Sequence, residues 1–363
     1  MTNIRNLLIG LCLGVFLLVT VASGVRAQVG ELPELPENLN IDASLEFESG
    51  GTFHLTVNAG GTAPGEELEQ LPVNAADLNI EISSPSSGQL EIELDGSATF
   101  TEYGLAELPV ENFSTMTPEM LNLVLQEFEG KRLSEILPDI TGEEIELPPE
   151  VEDLKIESAN FTKFSWNEPT LEVGLTATIS GSIFEDEELR AELPVTINLS
   201  FEGNESSLSF TISASSGAGT KFDMSLSGAF ADGTWEINLL IEASGTLPEF
   251  EEEGLGCFEV PPGAQELLEE QNLGEVLEGR NMTFKLKVPE ETDVSDLPGG
   301  YDHSDGTYTW TGSNAASAFE SILTGEAGAE GGPSGEEGLP WLWIGIGVAV
   351  VVVVIIATVM IRR

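Results

Sequence analysis

The sequence predicts a mainly β protein of the α+β kind. The expected form is a large, curved antiparallel sheet with up-and-down meander connections, packed against two or three short helices, plus one C-terminal transmembrane helix. Three observations predict it: long runs of strict apolar/polar alternation, short breaks rich in Gly, Pro, Asp and Asn between those runs, and a strongly apolar segment at each end of the chain.

The alternation begins after a Glu-Leu-Pro-rich leader over 28–38. Leu39, Ile41, Ala43, Leu45 and Phe47 take one side of a strand, and Asn40, Asp42, Ser44 and Glu46 the other. Ser49-Gly50-Gly51 turns the chain into a second strand carrying Phe53, Leu55 and Val57. A further pair follows, with Leu78, Ile80 and Ile82 in one strand and Leu90, Ile92 and Leu94 in the next, the second running toward Phe100. The period then changes. Thr117-Pro118-Glu119 supplies an N-cap, a first-turn proline and an early acid, and Met120 to Phe128 follow as a helix ended by Gly130, with Leu133 to Leu137 as an extension after a break. This helix is expected to cover the apolar side of the sheet.

From Leu154 to Leu247 six consecutive strands are expected, separated at Pro169, at the acidic run 185–188, at Gly203-Asn204, at 215–219 and at Asp232-Gly233. Breaks this short favour antiparallel neighbours, because parallel crossovers need a dozen or more residues. A helix over Ala264 to Leu277, strands at Met282 to Val288 and Tyr308 to Trp310, and a helix over Ala315 to Leu323 complete the domain. Strands, a helix and more strands occur in both halves. This fits two subdomains with a boundary near 143–150, or, as the preferred reading, one long sheet.

The two apolar ends differ. Leu7 to Ala22, behind Arg5 and before Val25-Arg26-Ala27, has the layout of a secretory signal over 1–27. Trp341 to Ile361 is about 21 residues, enough at ~1.5 Å rise per residue for a ~30 Å hydrocarbon core. Trp341 and Trp343 suit one membrane interface, and Arg362 and Arg363 suit the cytoplasmic side. The predicted order is therefore a signal over 1–27, a β-rich extracellular domain over 28–323, a Gly/Glu-rich spacer over 324–338, a transmembrane helix over 339–361 and a cytoplasmic Arg362-Arg363 pair. The expected location is the cell membrane, single-pass, with the N-terminal domain outside.

Between the ends the chain is acidic. With the end segments set aside, 9 of the 13 basic residues and all 63 acidic ones remain, a formal balance of 9 minus 63, or −54. Such a field repels phosphate backbones and excludes nucleic acid as a partner. Cys12 falls in the signal, so Cys257 stands alone and forms no internal disulfide; that leaves a buried free thiol, preferred because Gly256-Cys257-Phe258 is apolar, or an intermolecular bridge.

Few residues suggest chemistry. His54 lies on the polar side of a hairpin and His303 in Asp302-His303-Ser304-Asp305-Gly306. Neither has the partners of a nucleophilic site, and no catalytic residue is assigned. Asp302 and Asp305 are the metal candidates, with Ca2+ as the ion, but the spacing is short for a calcium loop and an Asp-Gly turn is the simpler reading. Trp166, Trp235 and Trp310 fall in strand patterns, as core or sheet-face residues. No phosphate loop, dinucleotide fingerprint or metal-spaced Cys/His set is present. Asn-x-Ser/Thr occurs at Asn112, Asn160, Asn198, Asn204 and Asn281, the glycosylation candidates; Asn204, in an expected turn, is preferred.

The secretory signal, the acidic, Lys-poor, β-rich middle with its sequons, the Gly/Glu spacer, the single span and the terminal Arg pair together resemble archaeal cell-surface proteins anchored at their C-terminus. Where some of that class carry a sorting motif, this chain has Gly338-Leu339-Pro340-Trp341, which departs from it. The resemblance implies a non-enzymatic surface protein with a structural or adhesive role in the envelope, anchored in the membrane and facing other envelope proteins or glycans. Two other readings are kept: an apolar-ligand or lipid-binding module with a cavity between sheet and helices, and a secreted hydrolase acting through carboxylates.

Overall fold

The computed structural model describes residues 38–64, 71, 73–107, 110–126, 128–132, 135, 153–185, 187–246, 281–292, 294 and 297–323. The described residues are mainly β, with thirteen strands in mixed pairing and few helices. In chain order the elements are β1 (Asn40–Phe47), β2 (Thr52–Pro64), β3 (Val73–Ser83), β4 (Gln89–Phe100), α1 (Glu102–Glu107), α2 (Pro118–Leu125), β5 (Lys155–Asn167), β6 (Thr170–Ser180), α3 (Glu187–Glu192), β7 (Val195–Asn204), β8 (Ser207–Ser215), β9 (Lys221–Ala231), β10 (Thr234–Thr246), β11 (Asn281–Lys287), β12 (Asp302–Ser304), β13 (Thr307–Thr311) and α4 (Ser313–Leu323). The expected helix over Ala264 to Leu277, the lone Cys257, the spacer and the apolar end segments lie outside the described residues. No helix among the described residues is long and apolar enough to cross a membrane.

The chain forms two compact units, one built on β3 to β8 and the other on β1, β2 and β9 to β13. In the first, the strand order is β8-β7-β3-β4-β6-β5, antiparallel throughout. In the second it is β12-β13-β11-β1-β2-β10-β9. The hairpins expected from short breaks are present at β1/β2, β3/β4, β5/β6, β7/β8 and β9/β10. The six strands expected from Leu154 to Leu247 are β5 to β10.

The simple meander is corrected. β2 pairs β10, β3 pairs β7 and β4 pairs β6, so distant hairpins interleave. The expected all-antiparallel pairing is corrected as well: β1 and β11 run parallel. More than 200 residues separate them, so no tight turn dictates their direction. In the parallel register Glu46 faces Lys287, and the two side chains form an ion pair; Asn281 donates to Asn40 Oδ1 at 2.6 Å. The acidic run between β6 and β7, expected to be a plain break, carries a short 3-10 segment and α3.

In the first unit, α2 begins as the sequence signals. Thr117 Oγ1 accepts from the Met120 N–H at 3.4 Å, and the Leu121 N–H closes onto the Thr117 carbonyl at 3.2 Å. Leu121 then packs with Phe161, Phe164, Leu171 and Val173, joined by Phe113, Met116, Leu125 and Trp166. Phe161 and Phe164 are three apart, yet both reach this core. A bulge at Thr162, where Phe161 faces Leu175 and Lys163 faces Gly174, flips the alternation between them. A second bulge at Glu157 flips it between Ile156 and Ser158.

In the second unit, Leu45, Phe53, Met224, Leu226, Phe284, Leu286 and Trp310 are fully buried. Full burial of such side chains stabilises by about 1.5–3 kcal/mol each. Trp310 stacks on Phe284 with ring centres 5.5 Å apart and donates Nε1–H to the Pro298 carbonyl at 3.0 Å. α4 covers this corner with Ile322 and with Ala315, Ala316 and Ala318, whose small side chains let the helix approach β11 and β13 closely.

Candidate functional site

Register places a largely polar face on the first unit. Residues opposite one another on neighbouring strands share a face, so one row reads Asn198, Asn79, Asp95, Gly174 and Lys163 across β7, β3, β4, β6 and β5. The next row reads Ser200, Asp77, Ser97 and Glu172, and the row on the other side Thr196, Glu81, Glu93 and Thr176. Every one of these residues except Gly174 has a short or charged polar side chain.

The first two rows line an open groove of about 380 Å³. At Gly174, between Asp95 and Lys163 in the first row, a side-chain β-carbon would lie 2.5 Å from Thr162 Oγ1 and 3.0 Å from Asp95 Oδ1. The walls are ordered by their own contacts: Asn79 donates to Asn198 Oδ1 at 2.6 Å, and Lys163 pairs with Glu172 at 3.2 Å. Asp77 and Asp95 stand between these two pairs. The groove therefore offers amide, carboxylate and ammonium groups in one open, water-exposed depression, where single charge pairs contribute little and several together give direction. Such a set suits a hydroxyl- or amide-bearing ligand held by many modest hydrogen bonds.

Along β5, at Glu157 and the neighbouring Asp153, two carboxylates are perturbed. The Ser180 hydroxyl, donating at 2.6 Å, and the Lys155 ammonium, at 3.0 and 3.1 Å, hold Glu157 below the ordinary carboxylate range. Asp153 is held low chiefly by the Ser182 N–H, which donates to Oδ2 at 2.9 Å. Glu157 is tied to neighbouring side chains and Asp153 to the Ser182 backbone, and neither lines the groove.

The sequence-predicted residues are scattered. Asn198 lines the groove; Asn160 is exposed on β5, facing Thr176. Asn204 ends β7 at a hairpin tip, and Asn281 opens β11 against Asn40. Asn112 lies in the 3-10 segment Val110–Thr115. Asp302 opens β12 and Asp305 lies in the β12/β13 turn, in which Asp305 at φ +50° and Gly306 at φ +73° both take the left-handed region, as a primed hairpin turn requires. His303 stacks on Tyr308 with ring centres 4.4 Å apart, and His54 is exposed between Glu46 and Ser244. Among the described residues, no group of three or more His, Cys, Asp or Glu side chains is arranged to hold a metal ion. Trp341, Trp343, Arg362 and Arg363 lie outside the described residues.

Asp77, Asn79, Asp95, Lys163 and Glu172 were not singled out by sequence. They come from four strands spread over about a hundred residues, and the interleaved pairing that joins them has no local signal. No protein-family model matches the chain, and no curated protein sequence matches it.

Proposed function

We propose that this chain is an exported surface protein, held to the membrane by its C-terminal apolar segment, with a non-enzymatic adhesive or structural role outside the cell. The observation that carries the reading is the polar face of the first unit, with its groove lined by Asp77, Asn79, Asp95, Ser97, Lys163, Glu172, Asn198 and Ser200. Its amide, carboxylate, hydroxyl and ammonium groups converge on one depression, and a partner rich in hydroxyls or amides would meet it. A secretory signal and a spacer before an apolar span support presentation of that face to the outside.

The test is a chain bearing Asp95→Arg, displayed on cells beside the unaltered chain. Protease applied to intact cells should remove the domain from both, and the purified chain should begin at Gln28. Attachment of the cells to their own isolated envelope should fall for the variant alone. A domain protected from external protease, or attachment unaffected by Asp95→Arg, would reject the reading.

A second reading, binding of an apolar ligand or lipid, is favoured by the opposite face of the same unit. There Ile80, Ile82, Ile92, Ile197 and Ile212 remain only half-buried. Native mass spectrometry of the purified chain would show a retained lipid if this face is a ligand site, and bare protein if it is not.

A further inference from the structure

We propose that Asn204 is an N-glycan acceptor, selected by the fold among the four sequons that begin in strands. The inference rests on the reading of the chain as exported, and concerns a modification site rather than the groove.

An oligosaccharyltransferase must draw the acceptor asparagine and the two residues after it into its own cleft. A sequon whose backbone is paired on both sides, or whose middle residue is a core residue, must first be pulled out of the sheet. Asn198 lies in β7, paired to Asn79 on one side and Ser213 on the other, and its Oδ1 is engaged by Asn79. Asn281 is followed by Met282, 1% exposed, and its side chain is bonded to Asn40. Asn160 is followed by Phe161, 6% exposed, whose backbone is held by Asn122.

Asn204-Glu205-Ser206 is different. It forms the tip of the β7/β8 hairpin, and all three residues are exposed. Asn204 Oδ1 accepts the Ser206 N–H at 2.9 Å and lies 3.3 Å from Ser206 Oγ, so the sequon hydroxyl already sits beside the amide. The amide nitrogen makes no hydrogen bond among the described residues. In the transfer, that nitrogen attacks the anomeric carbon of an oligosaccharide carried on a polyprenyl phosphate. The N–C bond forms, the C–O bond to phosphate breaks, the lipid phosphate leaves, and the amide proton passes to a base of the transferase. Six residues of strand at about 3.3 Å each put the attachment point roughly 20 Å from Asn198, clear of the groove.

The experiment uses the purified full chain in detergent, a single-subunit oligosaccharyltransferase that reads Asn-x-Ser/Thr alone, and its polyprenyl-linked oligosaccharide. Sites are mapped by glycosidase release in heavy-oxygen water and peptide mass spectrometry. In the folded chain Asn204 should be modified about tenfold faster, or more, than Asn160, Asn198 or Asn281. Ser206→Ala should abolish its modification, and a denatured sample should be modified at all four. Equal rates in the folded chain, an unmodified Asn204, or selection of Asn204 persisting after denaturation would overturn the proposal. Export is read separately, from whether the chain recovered from membranes begins at Gln28, so failure of that reading is distinct from failure at Asn204.

Discussion

Asn122 on α2 hydrogen-bonds both backbone groups of Phe161 on β5: its Nδ2 donates to the Phe161 carbonyl at 3.2 Å, and the Phe161 N–H donates to its Oδ1 at 2.5 Å. β5 is the outermost strand of its unit, and Phe161 is the residue just before the bulge. One side-chain amide thus does for this residue what a neighbouring strand would do, while Leu121 beside it enters the core. Asn122→Leu keeps the branched heavy-atom skeleton and removes both bonds. It should destabilise the protein by about 1–3 kcal/mol, the cost of leaving two partly buried backbone groups unpaired. Urea unfolding followed by tryptophan fluorescence checks it; an unchanged midpoint would show that water replaces the amide at no cost.

Gly174 faces the same bulge from β6. An added β-carbon would meet Thr162 Oγ1 at 2.5 Å and Lys163 Cβ at 3.1 Å. Gly174→Ala should therefore destabilise by about 1–3 kcal/mol, as overpacking does, although alanine suits a strand better than glycine in general. Thr162→Ala introduced with it should recover part of the loss, because the closest clashing atom is then gone. Melting of the single and double variants, followed by circular dichroism, decides between this and a site that simply relaxes.

These two sites show what the sequence could and could not carry. Alternation and turn residues act within a few positions, so the hairpins around Gly50-Gly51 and Asp232-Gly233 and the turn at Asp305-Gly306 were legible, as was the Thr117-Pro118 helix start. The bulges at Glu157 and Thr162 were not, because a single extra residue in a Ser/Thr-rich strand looks like ordinary sequence until the partner strand is known. The groove failed for the same reason at longer range. Its rows exist only once β3 lies between β4 and β7, and that choice rests on summed packing rather than on any residue near Asn79 or Asp95. Among the site residues, Asn198 was found only because it also belongs to a sequon.

Glu81 and Glu93 face one another directly across β3 and β4 on the polar face, both exposed. Like charges so placed repel, and Glu91 on β4 adds to the field. Stability should rise with added sodium chloride as the repulsion is screened, the Debye length falling to about 3 Å at 1 M. Glu93→Lys should stabilise by about 0.2–1 kcal/mol at low salt, an advantage that shrinks at high salt. Denaturation midpoints at two salt concentrations test this, and an advantage independent of salt would assign the gain to packing instead.

Glu157 links the bulge at the start of β5 to acid sensitivity. Its carboxylate accepts from the Ser180 hydroxyl and pairs with Lys155, and both favour the charged form, so its folded pKa lies below its unfolded one. A group shifted in this direction contributes its stability above the unfolded value and loses it as pH falls through the folded value. Glu157→Gln should therefore be less stable than the unaltered protein at neutral pH, and the difference should vanish once the medium is acidic enough to protonate the native carboxylate. Ser180→Ala and Lys155→Met should each raise the Glu157 pKa, since the hydroxyl bond, the largest single cause, and the ammonium both favour the carboxylate. Carbon-detected NMR titration of the Glu157 side chain reads both shifts, and a pKa unmoved by Ser180→Ala would place the control in the ion pair rather than in the bond across to β6.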